Sequence, residues 1–145
     1  LNDEAFYQLI GQVKFDIVLS ITVLEHVLNP AVFLTNMLQL INKDGSIYIT
    51  APDYSSTMSK VLKRFWPYLI FGEHLNIPSI NGMKKLSINS LNLTDLQKEI
   101  IVKSIILPYS VVYYLDFLKL SFLTKIFSNK HFVKINTGSL ELSIS

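Results

Sequence analysis

The sequence predicts an α/β fold, namely part of a doubly wound sheet with helices on both faces. Phe15 to Ile21 is a continuous apolar run rich in β-branched residues, which is typical of a parallel strand buried on both faces. Pro30 to about Ile41 carries apolar residues at helical spacing, and Ile47 to Ala51 is a second apolar run that Pro52 ends. A strand, a helix and a strand in this order predict a parallel pair joined by a right-handed crossover.

The composition fits one folded domain over residues 1–145. Half of the residues are apolar and 17% are charged, which argues against disorder. The net charge is only +2 and the cations are scattered, so we expect no nucleic-acid partner. The absence of cysteine excludes disulfides and thiolate chemistry. It also fits a reducing compartment, so together with the lack of a signal-peptide pattern it leads us to expect a cytoplasmic location.

The other elements are predicted from shorter patterns. Residues 3–10 predict a short helix, and Asn29 followed by Pro30 predicts the N-terminus of the first long helix. The run from Asn42 to Gly45 predicts a turn with Gly45 at positive φ. Further along the chain we expect helices over 55–65, 80–91 and 109–127, and strands over 99–107 and 140–144 with a turn at Gly138.

Two ionisable residues, Glu25 and His26, follow the first strand at its carboxyl end, where ligands bind in open α/β sheets. The motif that contains them, Phe-Asp-Ile-Val-Leu-Ser-x-x-Val-Leu-Glu-His-Val-x-Asn-Pro over 15–30, closely resembles the fourth-strand motif of class I S-adenosylmethionine-dependent methyltransferases. The small-molecule branch around the ubiquinone-pathway O-methyltransferases looks most similar. A second segment, Gly-Glu-His-Leu-Asn-Ile-Pro-Ser over 72–79, resembles the family's Pro-Glu-His-Leu-x-x-Phe-Ser, which lies over the substrate pocket. Gly72 and Pro78 depart from that pattern.

The resemblance implies a partial Rossmann-like methyltransferase sheet, with strands four to seven and their flanking helices. The family's Gly-rich cofactor loop and its ribose-binding acid lie upstream of the fourth strand. The five glycines of this chain stand far apart, so no Gly-x-Gly occurs, and the first residue is Leu rather than Met. We therefore expect the C-terminal half of a longer enzyme, which by itself is inactive and binds the cofactor weakly or not at all.

The same resemblance implies S-adenosylmethionine as the cofactor and a small-molecule acceptor. The residues expected beside the cofactor are Ser20, Ile21, Thr22 and Leu24, with ordinary strand-end packing as the alternative. His26 and His74 are candidate general bases, because an imidazole titrates near neutral pH. The alternative for each is a loop-ordering role. Substrate contacts are expected from Glu25, Glu73, Trp66 and Tyr68, and packing in the core or a lid is the favoured alternative for the two aromatic residues.

The sequence also bears on a metal ion, a membrane and another copy of the chain as partners. In some related O-methyltransferases two acids and a histidine hold a divalent metal, but the first acid falls at Thr22 here, so no metal site is predicted. Leu107 to Phe127 is aromatic and lysine-bearing, which admits peripheral membrane contact, although a helix covering the sheet is favoured. The strand at 15–21 lacks its family neighbour, which predicts self-association through its edge. A non-catalytic interaction module that keeps half of the fold is the competing hypothesis for the whole chain.

Overall fold

The fold is taken from a computed structural model, which describes residues 13–92, 94, 97–110 and 132–145. These described residues form four strands and three α-helices. In order they are β1 (Phe15–Ile21), a 3-10 turn (Leu24–His26), α1 (Pro30–Leu40), β2 (Ile41–Pro52), α2 (Thr57–Leu62), a second 3-10 turn (Lys63–Phe65), α3 (Ile80–Leu91), β3 (Ile100–Ser110) and β4 (Phe132–Ile144).

The strands form one open, mixed sheet in the order β1-β2-β4-β3. β1 and β2 are parallel, and β4 runs antiparallel to both β2 and β3. This arrangement confirms the α/β class and the parallel pair predicted for the two strands that flank α1. The carboxyl ends of β1 and β2 therefore lie at the same edge of the sheet.

The core lies between the sheet and the helices α1 and α3. Asn29 caps α1 by accepting hydrogen bonds from the amides of Ala31 and Val32, and Pro30 is the first helical residue, so the predicted start of this helix is confirmed. The side chains that fill this layer are exposed by 1% or less. They include Leu34, Leu38, Ile47, Ile49, Met83 and Leu142.

The opposite face of β1 is open among the described residues. Ile17, Leu19 and Ile21 are exposed by 65%, 61% and 60%, and β1 pairs only with β2. The prediction that this strand is buried on both faces is therefore wrong, since α1 covers one face and no described element packs on the other. Self-association through this edge stays a prediction.

The predictions for two glycines also differ from the structure. Gly45 does not lie in a turn, because β2 begins at Ile41 and continues through it. A Cβ atom at Gly45 would lie 2.8 Å from the carbonyl oxygen of Phe15, so the glycine permits close approach of two strands. Gly138 has a φ of +93° within β4, not in a turn before that strand.

The helix expected over 109–127 is wrong at its first two residues, Tyr109 and Ser110, which belong to β3. The rest of that prediction, and the helix expected over 3–10, fall outside the described residues. Within the described part of the chain, no helix has the length and hydropathy needed to cross a bilayer.

A polar network joins side chains of three neighbouring strands, β2, β4 and β3. Lys103 forms an ion pair with Glu141 over 3.0 Å, and the hydroxyl of Tyr48 donates to the same carboxylate. Burial raises the pKa of Glu141, but the bonds from Tyr48 and Lys103 and the charge of Lys103 outweigh it and leave the pKa below its usual value. The bond to Glu141 in turn raises the pKa of Tyr48.

Candidate active site

The first side of the site is the turn that follows β1. Thr22 leaves the strand with a φ of +53°, an uncommon conformation for a residue with a Cβ, and its amide donates to the carbonyl of Thr50 over 3.1 Å. Leu24 is 1% exposed and anchors the 3-10 turn in the core. This anchor brings Glu25 into a buried position and leaves His26 exposed at the carboxyl end of the sheet.

The second side is the loop that carries the other Glu-His pair. The amides of Leu75 and Asn76 both donate to the carbonyl of Glu25, over 2.6 and 3.0 Å. The side-chain amide of Asn76 donates to the carbonyl of Val27. These three bonds dock the loop on the turn, and they bring His74 next to His26.

The two imidazole rings form an edge-to-face pair with centroids 4.8 Å apart and an interplanar angle of 72°. Nδ1 of His26 lies 2.9 Å from the carbonyl of Glu73, and Nδ1 of His74 lies 2.7 Å from the carbonyl of Tyr68. Because a carbonyl oxygen only accepts, each Nδ1 must carry the hydrogen. In the neutral form, each Nε2 therefore has a free lone pair that can take a proton.

Glu25 completes a group that we call the histidine cluster: Glu25, His26 and His74. The carboxylate is 2% exposed, and Oε2 has no hydrogen-bond partner among the described residues. One ligand atom from each of the three side chains lies within 4.8 Å of the others. A buried carboxylate oxygen without a partner beside two imidazoles is a costly arrangement, which is typical of a site that acts on a proton or a ligand.

This cluster bears on the prediction that the chain holds no metal. That prediction rested on Thr22, which offers no carboxylate, and it did not anticipate His74 as a third donor. Donor atoms of a tetrahedral zinc site lie only about 3.4 Å apart, as follows from bonds of roughly 2.0–2.1 Å. The three donor atoms all lie within 4.8 Å of one another, which is a looser limit than this spacing and does not define a coordination geometry. The absence of a metal stays a prediction.

The residues predicted beside the cofactor line the end of β1. Ser20 is 5% exposed, and its Oγ has no hydrogen-bond partner in the described part of the chain, whereas Ile21 is 60% exposed and presents an apolar surface. Thr22 is exposed and its hydroxyl donates to the carbonyl of Ile21. The side chain of Leu24 belongs to the core. Because successive residues of a strand point to opposite faces, the hydroxyl of Ser20 lies on the buried face of β1 and the side chain of Ile21 on the open face. The cofactor role of these residues stays a prediction.

The residues predicted to contact the substrate fall into two groups. Glu25 belongs to the histidine cluster, while Glu73 is exposed and contacts His26 through its backbone carbonyl rather than its carboxylate. Trp66 is 2% exposed, and its ring lies 5.4 Å from that of Tyr68. Because Tyr68 also accepts the bond from His74, the aromatic residues are joined to the histidine cluster by one short loop.

Sequence reasoning missed two features of this region. It treated His26 and His74 as alternatives, although the repeated Glu-His pair was a signal that they meet. It also missed a cavity of about 530 Å³ beside α2, which we call the basic pocket, lined by Tyr54, Lys60, Lys63, Arg64, Trp66 and Leu69. The three cations within five residues, Lys60, Lys63 and Arg64, were the available signal, although the chain leaves the helix at Lys63.

Comparison with known proteins defines the class. A family model described as a methyltransferase domain matches residues 2–97, and the chain belongs to that family. The four-stranded sheet with its helices is part of the Rossmann-like fold of class I methyltransferases. No curated protein matches the chain.

Solved structures agree with this assignment of the fold. A putative methyltransferase from an antibiotic biosynthesis pathway of Anabaena variabilis aligns with a TM-score of 0.60 and 13% identity, over 92% of this chain and 69% of its own. A SAM-dependent methyltransferase of Thermotoga maritima, described as a possible histamine N-methyltransferase, gives 0.55 and 13%, over 92% and 58%. The plantazolicin methyltransferase BamL, solved with a desmethylPZN analog and SAH, gives 0.56 and 15%, over 99% and 57%. The chain thus spans little more than half of the length of two of these three proteins.

Proposed function

We propose that the chain is the C-terminal part of an S-adenosylmethionine-dependent methyltransferase that acts on a small-molecule acceptor. The observation that carries this proposal is the pair of imidazoles whose Nδ1–H groups are held by backbone carbonyls at the carboxyl end of β1. Membership of the methyltransferase family and neighbours described as SAM-dependent or solved with SAH support the choice of cofactor.

The chain's own part in the reaction is to remove a proton. S-adenosylmethionine, when bound, supplies an electrophilic methyl group on a positively charged sulfur. An acceptor hydroxyl or amine that forms the new bond to carbon must give up its proton, and Nε2 of His26 takes it. We assign this step to His26 because it is the more exposed of the two histidines. His74 packs edge-on against it and limits its rotation.

Ile21 and Thr22, which are both exposed where β1 ends, provide the cofactor contacts that this chain contributes. Glu25 stays in the buried layer beneath the histidines, where its backbone carbonyl fixes the loop that carries His74. A non-catalytic module would need none of these constraints on the two imidazoles. For that reason we favour the enzyme over the interaction module.

The test is to compare His26→Ala, His74→Ala and Lys85→Ala in the full-length enzyme. We expect His26→Ala to lower turnover by about 10²–10⁴-fold, because a general base acts in the transition state, with a smaller loss of cofactor affinity. His74→Ala should lower turnover less, and Lys85→Ala, at an exposed position of α3, is the control and should leave turnover unchanged. Unchanged turnover in His26→Ala would contradict the proposal.

A further inference from the structure

The floor of the basic pocket is the buried ring of Trp66, which close packing holds in place. Trp66 is 2% exposed and packs against Gly138, where a Cβ atom would come within 2.7 Å of the indole Nε1. The ring of Tyr54 stands edge-to-face to Trp66, with centroids 6.5 Å apart. Only a residue without a side chain allows the indole to lie this close to β4, so Gly138 fixes the depth of the pocket.

The loop that positions Tyr54 is held by a buried carboxylate. Asp53 is fully buried, accepts hydrogen bonds from the amide of Ser55 and the hydroxyl of Ser104, and donates its own amide to the carbonyl of Gly138. The amide of Tyr54 donates to the carbonyl of Pro78 over 3.0 Å. The aromatic floor is therefore tied to the end of β2, to β3 and to β4.

Among the described residues, the rim of the pocket carries three cations and no acid. Lys60, Lys63 and Arg64 line the cavity, whereas no Asp or Glu does. Within the described ranges, the ion pair between Lys103 and Glu141 is the one salt bridge, so no carboxylate neutralises this rim. The helix dipole mildly stabilises cations at the C-terminal end of a helix. This effect does not explain why an apolar cavity lies between the three cations.

The backbone at the rim is strained. Lys63 has a φ of +48° and a ψ of −118°, and its amide donates to the carbonyl of Ser59 as α2 ends. A lysine in this conformation costs about 1–3 kcal/mol, and such strain persists mainly where the surrounding structure over-determines it, as at ligand sites. Here the strained residue turns the chain so that Lys63 and Arg64 face the same cavity as Lys60.

We propose that the basic pocket binds an amphiphilic anion: a molecule with an aliphatic or aromatic body and one carboxylate, sulfate or phosphate group. The volume of about 530 Å³ falls within the usual range for small-molecule sites. The loop from Trp66 to Tyr68 separates the pocket from His74, which donates to the carbonyl of Tyr68.

The experiment uses Trp66, the single tryptophan of the chain, as the reporter. The probe is 11-bromoundecanoate at concentrations below micelle formation, because bromine quenches tryptophan fluorescence only at close range, and 11-bromo-1-undecanol is the neutral match. We expect saturable quenching by the carboxylate and about tenfold weaker binding of the alcohol. The triple variant Lys60→Gln, Lys63→Gln, Arg64→Gln should lose this tenfold preference, and so should Lys60→Glu, a single change at an exposed position.

Lys84→Gln with Lys85→Gln, on the exposed side of α3, is the control and should leave the quenching unchanged. Equal binding of carboxylate and alcohol by the unmodified chain, or a preference that survives in both rim variants, would overturn the proposal. The measurement needs neither cofactor nor turnover. Its failure would therefore leave the role of His26 standing, and a failure of the histidine variants would leave the pocket standing.

Discussion

The histidine cluster and the basic pocket lie on two sides of one loop, and they hold their polar groups in different ways. In the histidine cluster each imidazole is fixed by a backbone carbonyl, and the loop is docked by three further hydrogen bonds. In the basic pocket the aromatic floor is fixed, but Lys60, Lys63 and Arg64 are exposed residues with long side chains, and the guanidinium of Arg64 lies over the ring of Phe65. Proton transfer depends on a set geometry, whereas attraction of an anion by several cations tolerates movement.

Asn76→Ala should disturb the histidine cluster and leave the basic pocket unchanged. The substitution removes the donor to the carbonyl of Val27 in a half-buried setting, and we expect a loss of about 1–2 kcal/mol in the free energy of unfolding. Urea unfolding measures this, with Asn81→Ala on the exposed start of α3 as the control. Quenching of Trp66 by the anionic probe should not change in the same variant, and a parallel loss there would mean that the two sites are not separable.

Glu141→Gln is expected to have the smallest effect, since Glu141 lies in neither site. The folded-state pKa of Glu141 is lowered, so its contribution to stability is present above the unfolded-state pKa and is lost as the pH falls through the folded-state value. The side chain of Lys103 is 61% exposed, so solvent screens its pair with Glu141 and we expect at most about 1 kcal/mol at neutral pH. Unfolding curves between neutral and acid pH should converge for the variant and the parent, with Glu99→Gln as the control. Curves that stay parallel into acid would contradict the lowered pKa.

The sequence predicts the parts of this fold that depend on local signals. Asn29 followed by Pro30 marks the start of α1, and the apolar run at 15–21 gives the bounds of β1, because capping and periodicity act within a few residues. Gly45 and Gly138 are mispredicted as turns, since each is required by a close approach between distant segments: Gly45 to Phe15, and Gly138 to Trp66. The exposure of one face of β1 depends on what packs against it, which no local pattern in the strand reveals.

The candidate site also has features that local sequence predicts and features that depend on distant contacts. Each Glu-His pair is visible in the sequence, and the family motif locates both at the carboxyl end of the sheet. Their contact depends on the amides of Leu75 and Asn76, which reach the carbonyl of Glu25 across about 50 residues. The basic pocket depends on Asp53 and Gly138 to fix its floor, and neither residue is unusual in its local sequence.

The tautomeric state of the two histidines tests the central claim most directly. Two-bond ¹⁵N–¹H correlations on the ¹⁵N-labelled chain, at a pH where the imidazoles are neutral, distinguish a proton on Nδ1 from one on Nε2. Because both Nδ1 atoms face carbonyl oxygens, we expect His26 and His74 to carry the proton on Nδ1 and a lone pair on Nε2, and replacement of each histidine in turn assigns the signals. If His26 and His74 instead carry the proton on Nε2, neither carbonyl bond forms in solution and the pair is not held in place to act as a base.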